Sequence, residues 1–209
     1  MNVFGMQLGH RMTVARLSDT TLWLHSPVAY APDLGAELAA IGRVTHVVAP
    51  NAMHDTYLEA WVSALPEARF HAAPGLAGSR PDLRFTDTLG ESADAAWAGV
   101  FDQLMLQGMP RVNEVVFFHR ASRTLIITDL AFNLGDDMPF LSRMLTRFNG
   151  CYCRFGPSRL LQSTIKDRAA LKRSIHRMLE WDFDRIVLSH GDNVPTGGRE
   201  LLRDSFAFL

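Results

Sequence analysis

Apolar residues along the chain fall into short runs with two periods, and the periods predict different elements. Thr21–His25 (TLWLH) is an apolar run of strand length, stopped at Ser26-Pro27. Leu34, Leu38 and Ile41 then recur at helical spacing and predict a helix over 33–41. Val44–Ala49 (VTHVVA) is a β-branched run ended by Pro50. Leu58, Trp61, Val62 and Leu65 share one face of a helix predicted over 55–65. Phe70–Ala73 reads as a short strand before Pro74-Gly75. From 77 to 108 the pattern is weak, with short strands expected around Phe85 and Leu104. The clearest signal is Glu114–His119 (EVVFFH) and Thr124–Asp129 (TLIITD), two strands joined by four residues, which predict a hairpin. Helices follow over 138–148 and 166–181, then a last strand over 183–189 and a closing helix over 199–208. No repeat of solenoid period and no low-complexity tract interrupts this order. Strands with mixed connections, several of them followed by helices, predict an α/β or α+β layered domain.

Composition narrows the class. The 209 residues (23.3 kDa) are 47% hydrophobic and 21% charged, a globular balance that fits one domain over 1–209 and excludes a disordered chain. A formal charge of -1 argues against a nucleic-acid binder. No apolar run reaches the roughly 18 residues of a membrane span, and the opening residues lack a signal-like apolar stretch. The expectation is a cytoplasmic protein with no membrane partner. Cys151 and Cys153 are too few for a disulfide framework and are expected to be free. Charge is uneven: nine Lys/Arg stand against fifteen Asp/Glu in residues 1–142, and ten against four in residues 143–185. Solvated helix faces explain this. So does an anion-attracting wall, or a homo-oligomer in which the basic stretch meets the acidic half of a second copy.

Polar residues gather where the apolar strands stop: His25, Asn51, His54, Asp55, Asp129 and His190. Strand ends of layered domains commonly carry chemistry. Asp129 ends an apolar strand, and a lone buried carboxylate there must be paired, ligated or used as a cap. The antiparallel hairpin puts Glu114 at the same open end as Asp129 and leaves His119 at the other, bracing the turn through Ser122 or a carbonyl. Asp55 reads equally well as a helix N-cap. His190, followed by Gly191, reads as an exposed ring or a hydrogen-bonded core histidine. His10, His46 and His71 have no partner visible in the sequence, and Gly197-Gly198 reads as a helix-entry turn.

Together, LHSP, APNxxH, EVVFFHRxSRTLIITD and LSHGD resemble an uncharacterised, domain-of-unknown-function branch of the metallo-β-lactamase superfamily. The resemblance covers nearly the whole chain and implies an αββα sandwich with metal ligands along one edge of the sheets. It also implies a degenerate HxHxDH motif. The first two His positions fall on Pro50 and Ala52, the Asp-His pair falls in swapped order on His54 and Asp55, and the later His falls near Pro110. One metal site is then retained, made of His54, Asp55, Asp129 and His190. Two imidazoles and two carboxylates suit one divalent ion of Zn, Fe or Mn. Asp129 and Glu114 are the expected catalytic carboxylates, with His25 close behind the ligands. The implied activity is that of a metal-dependent hydrolase-like protein acting on a small-molecule substrate. The alternatives are a non-catalytic small-molecule binder on a decayed scaffold, holding no metal, or an iron-binding redox or sensor protein.

Overall fold

The computed structural model describes residues 2–3 and 6–209, with side chains from residue 8 onward. Two short strands, β1 (Asn2–Val3) and β2 (Met6–Gln7), open the described chain as a pair of their own. The first sheet is built from β3 (Thr13–Ser18), β4 (Thr21–His25), β5 (Arg43–Ala49), β6 (Arg69–Ala72) and β7 (Asp87–Thr88), in that order across it. The β3–β4 pair is antiparallel and the remainder parallel. Helices α1 (Pro32–Ile41) and α2 (Leu58–Ala64) supply two of the crossovers. The short α3 (Leu76–Ser79) follows β6.

The second sheet has β8 (Phe101–Met105), β9 (Val115–His119) and β10 (Thr124–Ile127) as a meander. After β10 come β11 (Phe132–Asn133), α4 (Phe140–Phe148), β12 (Phe155–Gly156), α5 (Arg159–Ser163) and α6 (Arg168–Leu179). The last strand, β13 (Arg185–Leu188), then pairs parallel with β10, and α7 (Gly198–Ser205) closes the chain.

Strand alternation sorts the core into three layers. Trp23, Val48, Val115, Phe117 and Ile126 point between the sheets. Leu22, Leu24, Val47 and Ala49 point outward and pack with Leu38, Leu58 and Trp61 of the helices on that face. Val116, Phe118, Leu125, Ile127, Ile186 and Leu188 face the other way, against Leu171, Ile175 and Leu202 of α6 and α7. The result is the expected αββα sandwich. All five helical expectations moved at an edge, α6 to Arg168–Leu179 and α7 to Gly198–Ser205 among them. The helix expected from 55 starts at Leu58, and α4 starts at Phe140 rather than 138. The strands β3, β11 and β12 and the helix α5 had no clear signal in the sequence. Among the described residues, no helix is long and apolar enough to cross a membrane.

Candidate metal centre

The period of β4 puts His25 on the same side as Trp23, so it enters the layer between the sheets and is fully buried. One turn beyond β5, Asn51 is also fully buried, and its amide organises two elements at once. Its Oδ1 accepts the backbone N–H groups of Met53 (2.8 Å) and His54 (3.0 Å). Its Nδ2 donates to Thr128 Oγ1 (2.9 Å) and Asp129 Oδ2 (2.6 Å) beyond β10. A single side chain thereby fixes His54 against Asp129.

His190 arrives from β13. It is followed by Gly191 at φ +87°, where a Cβ would lie 2.2 Å from the Asn133 carbonyl oxygen, so only glycine fits this close approach. Arg11 holds the same turn. Its backbone N–H donates to Ser189 O (2.9 Å), and its guanidinium donates to Leu188 O (2.6 Å) and Gly191 O (2.7 Å).

One ligand atom from each of His54, Asp129 and His190 lies within 4.8 Å of the others. His54 Nε2 is 3.0 Å from Asp129 Oδ2, and His190 Nε2 is 3.4 Å from Oδ1. Both nitrogens are nevertheless buried without hydrogen-bond geometry to any partner. The tautomer of His190 follows from its other nitrogen, which lies 3.1 Å from the carbonyl of Gly9. A carbonyl only accepts, so Nδ1 carries the proton, and in the neutral ring Nε2 is a bare lone pair facing a carboxylate oxygen. His54 Nδ1 lies 2.5 Å from Ser26 Oγ, a hydroxyl that can donate or accept, so this contact orients the ring without fixing which nitrogen carries the proton. A bare ring nitrogen turned towards a buried carboxylate oxygen is unfavourable unless a proton or a metal ion lies between them. The residues therefore fit a divalent metal, with each ring oriented by a hydrogen bond on its far side.

Burial pushes the Asp129 carboxyl up, but His54 and His190 outweigh it and hold it well below the usual carboxylate range. Glu114 is pushed up to about 7 by burial and by Asp129, against the pull of the Thr128 and Leu130 N–H groups. His10, which had no partner visible in sequence, stacks on His54 with centroids 5.0 Å apart and meets His190 edge-on at 5.8 Å. Its Nε2 reaches Ser26, and burial with the two neighbouring histidines lowers it to about 4.

Three expectations need correction. Asp55 does not join the group: its carboxylate is 2.5 Å from the Arg80 guanidinium, which satisfies it on the other side of the loop. It is not the helix cap either, since Tyr57 occupies that position without a side-chain bond. Glu114 is fully buried, and its two oxygens accept the backbone N–H groups of Thr128 (2.6 Å), Asp129 (3.0 Å) and Leu130 (2.8 Å). It positions the Asp129 turn and is not turned to the cavity. His25 lies outside the converging three. It stacks on Trp23, both its nitrogens lack partners, and burial followed by His54 and His10 lowers it to about 3. His119 sits at the turn as expected, 2.7 Å from Ser122 Oγ.

A cavity of about 270 Å³ opens on Asp129 and His190. Its walls are mostly apolar, including Met53, Val112, Phe132, Leu160 and Leu161, with Arg111 bringing a cation. Cys151 lines it and Cys153 is exposed, so the two thiols face different surroundings and both are free.

Known structures share this architecture. The DIM-1 metallo-β-lactamase exposed to ceftazidime superposes with a TM-score of 0.67 at 12% identity, over 100% of this chain and 90% of that one. The metallo-β-lactamase FIM-1 from Pseudomonas aeruginosa, in its mono-zinc form, gives 0.60 at 13% identity over 93% and 82%. The metal-soaked Flv1 flavodiiron core from Synechocystis sp. PCC6803 gives 0.64 at 15% identity, over 92% of this chain and 50% of that one. The fold is thus that of the metallo-β-lactamases. Residues 1–149 match the model of a domain of unknown function, DUF4336, and the chain belongs to that family. No curated protein matches it.

Proposed function

We propose that the protein is a metal-dependent hydrolase with a single catalytic metal site, held by His54, Asp129 and His190. The observation that carries this is the pair of buried, partnerless Nε2 atoms set around one carboxylate. When bound there, a divalent ion supplies Lewis acidity and makes a water far more acidic. The chain's own residues do the rest. Asn51 and Glu114 hold Asp129 in place. Ser26 and the Gly9 carbonyl orient the two ligand rings with their Nε2 atoms turned to Asp129. The apolar wall excludes water from a small substrate, and Arg111 receives an anionic or strongly polarised end of it.

One observation favours a second reading, a ligand-binding scaffold without turnover. Arg80 has taken Asp55, and Pro50 and Ala52 cannot ligate, so the donor set is three side chains.

Metal analysis after incubation of the stripped protein with Zn²⁺, Fe²⁺ or Mn²⁺ tests the first claim. At least one ion is expected to be retained at this site, and Asp129→Ala should lose it. Less than about a tenth of an equivalent of every metal would overturn the assignment. Hydrolysis of p-nitrophenyl esters of increasing acyl length tests the second. A rate that Asp129→Ala lowers by more than about 100-fold, a loss of a size expected for a group acting in the transition state, supports turnover. Metal retention with no such rate selects the binding scaffold.

A further inference from the structure

A second group of donors lies at the β6–β7 edge of the first sheet and shares no residue with the group around Asp129. Parallel pairing sets His71 directly beside Asp87, and Asp94 approaches from the loop that follows β7. One ligand atom from each of the three lies within 4.8 Å of the others. His71 is 1% exposed. It faces the apolar layer between the sheets, edge-on to Trp97 with centroids 4.7 Å apart. A buried imidazole in such a layer calls for an explanation.

Its two nitrogens are differently employed. Nε2 lies 2.9 Å from Nδ1 of His46, a second buried histidine that also packs against Trp97. Nδ1 faces Asp87 Oδ2 at 3.8 Å, too far for a hydrogen bond. Either ring can be the donor in this pair, and in the tautomer where His46 accepts from Nε2–H, Nδ1 of His71 presents a lone pair to the carboxylates. That is the arrangement of a ligating histidine oriented by a partner on its other nitrogen. The carboxylates are only partly committed. Arg69 holds Asp87 Oδ2 at 2.6 Å, and the Ala96 N–H holds Asp94 Oδ1 at 2.8 Å, which leaves each with its other oxygen. A cavity of about 390 Å³ reaches all three residues, giving room for water to complete a coordination sphere.

From this geometry we propose a second, non-catalytic divalent-cation site formed by His71 Nδ1, Asp87 and Asp94, with His46 as the positioning residue. One imidazole with two carboxylates suits Zn²⁺ or Mn²⁺ better than the all-oxygen demands of Ca²⁺ or Mg²⁺. The ion pins the loop after β7 onto the sheet edge.

The test is Zn²⁺ stoichiometry on the EDTA-stripped full chain, read by elemental analysis after dialysis against a zinc buffer. Two ions per chain are expected in the natural sequence. One is expected in Asp94→Ala, whose half-buried loop position leaves the core untouched, and one in His54→Ala/His190→Ala. His46→Phe should weaken only the β6–β7 site, by about 10- to 100-fold in affinity. An Asp94→Ala protein that is folded by circular dichroism and retains the same stoichiometry as the natural chain overturns the proposal. A stoichiometry of one that Asp94→Ala abolishes and His54→Ala/His190→Ala does not would instead sustain this site while refuting the metal at Asp129. His71→Ala serves as a second variant, decisive wherever its circular dichroism matches the natural chain.

Discussion

The carboxylate of Glu114 answers a local problem: three backbone N–H groups turn inward where β10 ends, with no strand to receive them. In Glu114→Gln one acceptor oxygen becomes an NH₂ group facing donors. This variant should lose about 1–3 kcal/mol at pH 8, where the natural residue is ionised. It should also bind Zn²⁺ more weakly, because the Asp129 turn loosens. Urea unfolding and a zinc titration check both, and an unchanged midpoint would show that the amides find water instead. At this scale the sequence exposed only part of the site. His54, Asp129 and His190 stand at strand ends or beside a helix start, where polarity interrupts an apolar pattern. His10 stands in no such pattern, and only its stacking on His54 brings it in. Asp55 was misread for the same reason. Its neighbour in sequence, His54, faces Asp129, but its own neighbour in space is Arg80.

Among the elements, the hairpin β9–β10 and the parallel strands β4 and β5 were legible because their side chains are apolar on both faces or β-branched. β3 alternates half-buried with exposed residues at the edge of its sheet, a pattern with little contrast. Helix α4 carries a different lesson. Its periodicity was visible, but its faces are reversed. Ser142 and Thr146 are buried, while Phe140 and Phe148 are 73% and 80% exposed. Phe148→Ser should therefore change stability by no more than about 0.5 kcal/mol. Leu171→Ala, in the fully buried face of α6, should cost about 2–5 kcal/mol. Gly191→Ala meets the Asn133 carbonyl and a positive φ together, so it should cost at least about 1–3 kcal/mol and displace His190. Thermal melts of the three variants rank them, and a Phe148→Ser protein as damaged as Leu171→Ala would mean that α4 packs the other way.

For the whole molecule, burial of histidines sets the response to acid. His10, His25 and His71 are held down to about 4, 3 and 4, below the ordinary 6.5. The unfolded chain takes up their protons first, so the metal-free protein loses stability as pH falls from about 6.5 towards 4. Each histidine contributes a slope of up to about 1.4 kcal/mol per pH unit. Glu114 works in the opposite sense between about 4.5 and 7, since its raised value favours the folded protein at the acid end. Three groups outweigh one, and the urea midpoint of the metal-free protein should drop between pH 7 and 4.5. His25→Leu removes a ring with two unpartnered nitrogens and should flatten that slope. A midpoint independent of pH would show that water reaches these rings.

The hydrogen bonds that tie Gly9 and Arg11 to the turn at His190 also set an order in time. During synthesis the first sheet and the hairpin emerge with His54 and Asp129 already in hand, while His190 is still to be made. The early segment must wait for a partner about 180 residues away before the turn at His190 is fixed. If the proposed centre takes a metal, its capture follows the docking of the last strand and acts as a seal on a finished fold rather than as a nucleus for one.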